Sequence, residues 1–480
     1  MSAEPVQITM SPYYGVPDFS PLADGDRKID PVSVVDLLRN GFVYPPHSIF
    51  DGVKLVTFGF SPEDDMHVAP EFRFKFRNAG EVPEFANAPQ NWIEQYHMLL
   101  CQAMQRTCAE MKSPWLLQSG GKDSTTLAIA LSEVRPEATC MTYLGGREED
   151  EIESARHVAS TLGLKHEVLI CDPGRAFDRY VALVHKMPLL TADFALLSYV
   201  DMATEIRSRG GDGVVDGMGS DSYFGTPMGN QHRISAGLAR QMRLPMDLTS
   251  LPLVERSFPL CFVLSSLQMH PVERLFPGSR FSDAEVDELF GVKVSHRSRQ
   301  RMEVFSEQLS SATSSWEWRD MSMSIAGSAG AFAKGLFTAS ALDLHSAYPF
   351  CDTDLREWVH DEVPRDLKVD PKSGTNKVLM RMHIATRFAE LPYVKKKGSF
   401  RFDVSGLAAQ RFDEVRSFAV RAHEWMPGAV DWLDRNRRRL DNKYHASKFY
   451  LLAVVLPWLV LRHERPATTV RAEDAQLVAG

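Results

Sequence analysis

No C-x-x-C pair occurs among the six cysteines of this chain, at positions 101, 108, 140, 171, 261 and 351. That absence argues against a thiol–disulfide couple, and the apolar surroundings of most of these residues fit buried free thiols in a reducing compartment. The 15 histidines give no H-E-x-x-H and no clustered ligand set, so no zinc centre is expected. Positive charge is in deficit: 54 Lys and Arg stand against 62 Asp and Glu, a net −8, and no broad basic field calls for a nucleic-acid partner. Long apolar runs are missing too. The strongest, Phe449 to Leu461, contains Pro457 and is too short to cross a bilayer, so it reads as a core helix. Met1-Ser2-Ala3-Glu4-Pro5 shows no basic region followed by an apolar segment, and the expected location is cytoplasmic, with no membrane partner. Neither internal repeats nor low-complexity segments are evident. With 44% hydrophobic and 24% charged residues over 480 positions, a large buried core and two domains are the natural expectation.

What the chain does have is Ser119-Gly120-Gly121-Lys122-Asp123-Ser124, between the apolar Trp115-Leu116-Leu117 and the helical Thr125 to Leu131. Strand, glycine turn and helix together make a phosphate cradle. Glycines let the backbone approach an anion, hydroxyl side chains add donors, and the helix supplies free N–H groups and the positive end of its dipole. The pattern is not a Walker loop, because Leu116 stands where the first glycine belongs and Asp123 follows the lysine. An Asp aimed at phosphates requires a cation between them, so Asp123 reads as a Mg2+ ligand for a nucleotide pyrophosphate.

These residues resemble the PP-loop signature of the ATP pyrophosphatases. Further landmarks narrow the resemblance to the synthetase domain of asparagine synthetases. Asp150-Glu151 followed by Ala155 to Gly163 is similar to that family's D-E-x-x-x-A-R-x-V-A-x-x-L-G, and Gly217-Met218-Gly219-Ser220-Asp221-Ser222-Tyr223-Phe224-Gly225 to its G-E-G-A-D-E-L-F-G. Tyr348 to Asp352 stands where the family has V-P-F-L-D, Gly374 to Arg381 where it has G-x-x-K-x-x-L-R, and Lys396-Lys397-Gly398-Ser399-Phe400 where it has K-x-G-F. The resemblance spans about residues 90 to 465.

The fold class expected is α/β: a parallel-sheet PP-loop domain, adenine nucleotide α-hydrolase-like, with a large helical C-terminal portion and a small N-terminal β-rich remnant. The boundaries fall at 1–88, 89–465 and a tail at 466–480. Candidate strands are Leu116-Leu117, Thr139 to Tyr143, Glu167 to Ile170 and Gly213 to Val215, and their spacing predicts a parallel sheet with a nucleotide at the strand C-terminal ends. Residues 29–53 look like the last part of the family's glutaminase domain, whose nucleophilic cysteine at position 2 is here Ser2. Glutamine is therefore not the expected nitrogen source of this chain, and a separate ammonia-supplying subunit, or a homodimer, is among the partners to expect.

The resemblance implies an enzyme that adenylates a small-molecule or peptide carboxylate with ATP and Mg2+ and passes the acyl group to an amine or ammonia, releasing AMP and pyrophosphate. Ser119, Gly120, Gly121, Lys122, Asp123 and Ser124 would hold the nucleotide's phosphates, Asp123 and Asp221 would bind Mg2+, and Gly219 in the second loop would contact the bound nucleotide. Lys396 would stabilise pyrophosphate or the tetrahedral oxyanion, while Tyr143 and Leu144, at a strand end, would line the adenine. His345 takes the place of the family's acceptor-side glutamate, with Ala347 replacing an arginine, and an imidazole there would accept the amine proton at neutral pH. Met218 and Ser222 replace the glutamates of the second loop, which points to a specialised substrate. Related enzymes without glutaminase chemistry include β-lactam synthetases and lasso-peptide cyclases, so closure of an amide within one molecule is the alternative. A PP-loop sulfurtransferase or RNA-modifying enzyme, or a catalytically dead scaffold, is the rival class.

Overall fold

A computed structural model describes residues 6–9, 17–22, 27–57, 89–145, 149–224, 249, 251, 253–269, 273, 280–306, 309, 325–390, 392 and 402–463. Its centre is a five-stranded parallel sheet of β3 (Pro114–Leu117), β4 (Thr139–Leu144), β5 (Lys165–Ile170), β6 (Gly213–Val215) and β7 (His345–Ala347), in the order β5-β4-β3-β6-β7. In these short strands consecutive side chains go to opposite faces. Leu116, Cys140 and Val215 enter the main core. Trp115, Met141, Tyr143, Leu169 and Val214 instead pack with Tyr199, Met202 and Ile206 in a second core under a covering helix. Both faces are thus buried, as all-parallel sheets require.

The helices alternate with the strands: α2 (Pro89–Thr107) precedes β3, α3 (Lys122–Val134) joins β3 to β4, and α4 (Glu149–Thr161) joins β4 to β5. α5 (Pro173–Leu183) and α6 (Leu196–Ser208) lead to β6. Strand order runs outward from β3 in both directions, so the chain leaves β3 toward β4 on one side and returns at β6 on the other. The loops after β3 and β6 consequently part at the C-terminal edge, and the crevice between them is where ligands enter open α/β sheets.

The N-terminal segment is a parallel pair, β1 (Val6–Thr9) with β2 (Val53–Val56), around α1 (Pro31–Asn40). Asp30 caps α1 by accepting from Val32 N–H, Pro31 opens its first turn and Gly41, at φ 81°, closes it. This segment is sewn into the main body by buried arginines. Arg39 reaches Glu273 at 2.6 Å and Asp283 at 2.8 Å, and Arg301 pairs with Asp30 and, at 3.1 Å, with Asp36. Gly41 C=O accepts from Ala192 N–H at 2.8 Å.

The helix Lys443–His463 is, by length and composition alone, long and apolar enough to cross a membrane, being longer than the apolar run inside it; 94% of that window is buried within the protein. Tyr180 donates its hydroxyl to Val454 C=O at 2.6 Å, and Tyr450 donates to Asp193 C=O at 2.8 Å. These bonds fix the helix against α5 and the chain leading into α6, as a structural core element.

Replacing Arg39 by Ala removes the buried guanidinium that Glu273 and Asp283 share and is expected to cost about 3–5 kcal/mol, whereas Arg416→Ala, which breaks an exposed pair with Asp434, costs at most about 1 kcal/mol. The first urea unfolding transition of the two variants measures the contrast; equal midpoints would show that the N-terminal segment is not held by its buried charges.

Candidate active site

The loop after β3 is shaped by what lies beneath it. Gly120 has φ 62°, and a Cβ there would come within 2.8 Å of Glu151 C=O, so both the left-handed conformation and the close approach of α4 demand glycine. Ser154, on α4, donates its hydroxyl to Gly120 C=O at 3.3 Å and also to Pro392 C=O. Ser124 closes the loop from the other side: its Oγ accepts from Ser119 N–H at 3.1 Å and lies 3.1 Å from Gly121 C=O and 3.2 Å from Ser119 Oγ. Ser124 is therefore a brace inside the loop. Gly121 is the N-cap of α3 in an extended conformation with no side-chain cap, which leaves first-turn N–H groups available to an anion.

The second loop, Gly217 to Asp221, follows β6. Its turn depends on Gly219 at φ 103°, where a Cβ would meet Cys351 Sγ at 2.8 Å. The segment Pro349–Cys351 thus forms the floor of this loop. Asp216 accepts from Met218 N–H at 3.1 Å and sets the direction of the turn, and Asp221 opens the short helix α7 (Asp221–Phe224) with its carboxylate exposed.

Between the two loops stands Lys377. Its Nζ lies 2.6 Å from Asp123 Oδ1, 2.8 Å from Asp221 Oδ1 and 2.9 Å from Ser220 Oγ, so all three ammonium protons have acceptors. The side chain is 2% exposed. Burial works against its charge, but the carboxylates of Asp123 and Asp221 more than compensate and hold the ammonium pKa above its ordinary value. Lys377 also adopts φ 57°, a sparsely populated conformation costing on the order of 1 kcal/mol for a non-glycine residue. Its N–H donates to Lys368 C=O at 2.7 Å, which holds it there. Lys122, half-buried at the start of α3, has its pKa lowered first by burial and then by the nearby charges of Lys377 and Arg381.

Two carboxylates converging on one cation are suited to a divalent ion, because hard carboxylate oxygens are what Mg2+ takes from proteins at phosphate sites. Asp123 and Asp221 fit that group: an ammonium already occupies their point of convergence. Around them stand two further cations and a helix N-terminus, a distribution suited to polyphosphate.

The structure thus gathers Ser119, Gly120, Gly121, Lys122, Asp123, Ser124, Gly219 and Asp221 at one crevice. Leu144 ends β4 at the same edge, half-buried, while the Tyr143 ring turns into the second core and is buried there. Lys396 lies outside the described residues. His345 is not brought to the crevice. It is the first residue of β7, in register with Gly213 of β6, and Gly213 in turn pairs with Pro114 of β3, so it stands at the opposite edge of the sheet from the loops. There its N–H donates to Asp212 C=O at 2.9 Å and its Nδ1 is 3.5 Å from Glu110 Oε2. The expected role of His345 as the amine's base is corrected accordingly. Lys377 is the functional residue that sequence reasoning passed over, although the G-x-x-K-x-x-[LM]-R pattern at Gly374 to Arg381 marked its position.

The chain matches the asparagine synthase family over residues 96–421. No curated protein matches it in sequence. Among solved structures, it is similar to an NMN synthetase from Francisella tularensis at 16% identity, with 46% of this chain and 94% of that one covered and a TM-score of 0.21. An NAD+ synthetase from Burkholderia pseudomallei is similar at 18% identity, with 47% and 92% covered and a TM-score of 0.20. At such values these two structures say nothing of activity; the family match covers more than half of the chain and includes both glycine loops and Lys377. The chain belongs to the asparagine synthase family, whose members use ATP to form amides.

Proposed function

We propose that this protein is an AMP-forming amide ligase, which activates a carboxylate as its adenylate and transfers the acyl group to an amine or ammonia. The observation that carries this reading is the placement of Asp123 and Asp221 on opposite sides of the switch-point crevice, joined by Lys377. In the activation step a substrate carboxylate oxygen bonds to the α-phosphorus as the bond to the bridging oxygen breaks, and pyrophosphate leaves with that electron pair. In the second step the amine nitrogen bonds to the acyl carbon, AMP departs and one proton is lost from nitrogen.

The protein's part in this is electrostatic. The N–H groups at the start of α3 and the Lys122 ammonium meet the terminal phosphates, so that charge developing on the leaving pyrophosphate falls on preorganised donors. Mg2+ held by Asp123 and Asp221 would supply further neutralisation of that leaving group. Lys377 would then share those carboxylates with the cation and could turn a proton to phosphate oxygen. Gly120 and Gly219 keep side chains away from both loops, so the backbone itself can form the walls of the site.

Asp123→Ala and Asp221→Ala are each expected to reduce carboxylate-dependent ATP–pyrophosphate exchange by about 10²–10³-fold, with the circular dichroism spectrum unchanged. The assay is run against a panel of carboxylates, and products are AMP and pyrophosphate; ADP and phosphate would overturn the adenylation reading.

Lys377→Ala is expected to remove the cation that bridges Asp123 and Asp221, which sharpens the repulsion between the two carboxylates. Millimolar Mg2+ should then raise the melting temperature of the variant more than that of the unaltered protein. An equal or smaller rise would show that the carboxylates do not form the cation site.

A further inference from the structure

A second cluster of chemistry-bearing side chains lies away from the nucleotide crevice, where the outer faces of α2 and the C-terminal turn of α3 meet. His97 and Cys101 are separated by one helical turn on the same face of α2, and Glu133 closes the group from α3. His97 Nε2 is 3.1 Å from Glu133 Oε2 and 3.7 Å from Cys101 Sγ, and the three atoms all lie within 4.8 Å of one another. A tetrahedral Zn2+ with ordinary Zn–N, Zn–O and Zn–S bonds has ligand–ligand edges of about 3.3–3.6 Å. The two edges at His97, 3.1 and 3.7 Å, are close to those an ion imposes, and the third, between Glu133 and Cys101, lies within 4.8 Å.

The atoms behind these ligands are also held. Glu133 Oε1 accepts from Arg387 at 2.6 Å, leaving Oε2 turned toward His97. His97 Nδ1 is 3.0 Å from His383 Nε2, and His383 Nδ1 is 2.6 Å from Thr126 Oγ1. With a metal on Nε2, His97 carries its proton on Nδ1 and donates it to His383, which donates in turn to the Thr126 hydroxyl. Such outer partners are what fix the ring and tautomer of a metal-bound histidine. His97 and Cys101 are half-buried and Glu133 is exposed, so the fourth position of an ion held there would be open to solvent.

We propose that His97, Cys101 and Glu133 form a binding site for a divalent ion of the Zn2+ class, with solvent as the fourth ligand. Thiolate, imidazole and carboxylate together select a borderline ion over Mg2+ or Ca2+, and the two anionic ligands neutralise its charge. The ion clamps α2 to α3 and, through His383, to the helix Val378–Ala385. That helix begins directly after Lys377, and α3 begins at the phosphate loop, so the clamp sits behind both halves of the proposed ATP site.

Co2+ is the probe, added to the metal-free full-length protein. One equivalent is expected to give a thiolate-to-cobalt charge-transfer band in the near ultraviolet and intense visible bands of tetrahedral cobalt, both displaced by Zn2+. Cys101→Ser, a near-isosteric change at a half-buried position, should abolish the charge-transfer band while the far-ultraviolet dichroism is retained. His383→Gln should keep the band but weaken the affinity by about 10–100-fold, and Zn2+ should raise the melting temperature of the unaltered protein but not of Cys101→Ser. The absence of a stoichiometric cobalt spectrum overturns the proposal, as does a charge-transfer band that survives in Cys101→Ser. Neither result bears on the ligase reading, which stands on the crevice residues alone.

Discussion

The ammonium of Lys377, held between Asp123 and Asp221, joins the loops that follow two neighbouring strands, β3 and β6, to a segment more than 150 residues further along the chain. One carboxylate is on the first turn of the helix that follows β3, the other on the loop that follows β6, and the lysine arrives from a helix far along the C-terminal half. Taking an ammonium out of water costs several kcal/mol, and two carboxylates with a serine hydroxyl repay it only if all stay in place. The crevice is thus cross-braced by charge at the point where the sheet offers no hydrogen bonds between its loops. The carboxylates that hold the lysine are also the ones a competing cation would take.

Geometry that hydrogen bonding cannot supply is supplied here by steric exclusion. Gly120 against Glu151 and Gly219 against Cys351 leave no room for a Cβ, so each loop is pressed onto a neighbouring segment. The resulting backbone is left-handed at both glycines and turns N–H groups outward. Packing under the loops and charge above them are therefore two halves of one arrangement.

Much of this was legible in the amino-acid sequence because it depends on local rules. A strand followed by S-G-G-x-D-S can only turn where glycine permits positive φ, and short apolar runs separated by helices give a parallel sheet. What escaped sequence reading depends on pairing between distant segments. Lys377 was visible as part of a motif, but nothing in its neighbourhood states that its ammonium will sit between Asp123 and Asp221. His345 was misplaced because a three-residue strand gives no clue to which of its ends meets the crevice; Ala347, two residues on, is the one whose carbonyl accepts from Asp216. Tyr143 and Leu144 differ only by the alternation of a strand, which sends one into the core and leaves the other at the rim. The arginines of the N-terminal segment follow the same logic, since Arg39 acquires meaning only beside Glu273.

Ser154 is a small feature with a wider consequence. Its hydroxyl owns a single proton, yet two carbonyl oxygens, of Gly120 and of Pro392, draw on it. A stronger bond to one weakens the other, so the phosphate loop and Pro392 are coupled by competition for one hydrogen. Pulling Gly120 upward toward an anion transfers that hydrogen to Pro392, and tightening at Pro392 slackens the loop's underside. Gly120 and Pro392, more than 270 residues apart in the chain, thereby sense each other's position through one side chain.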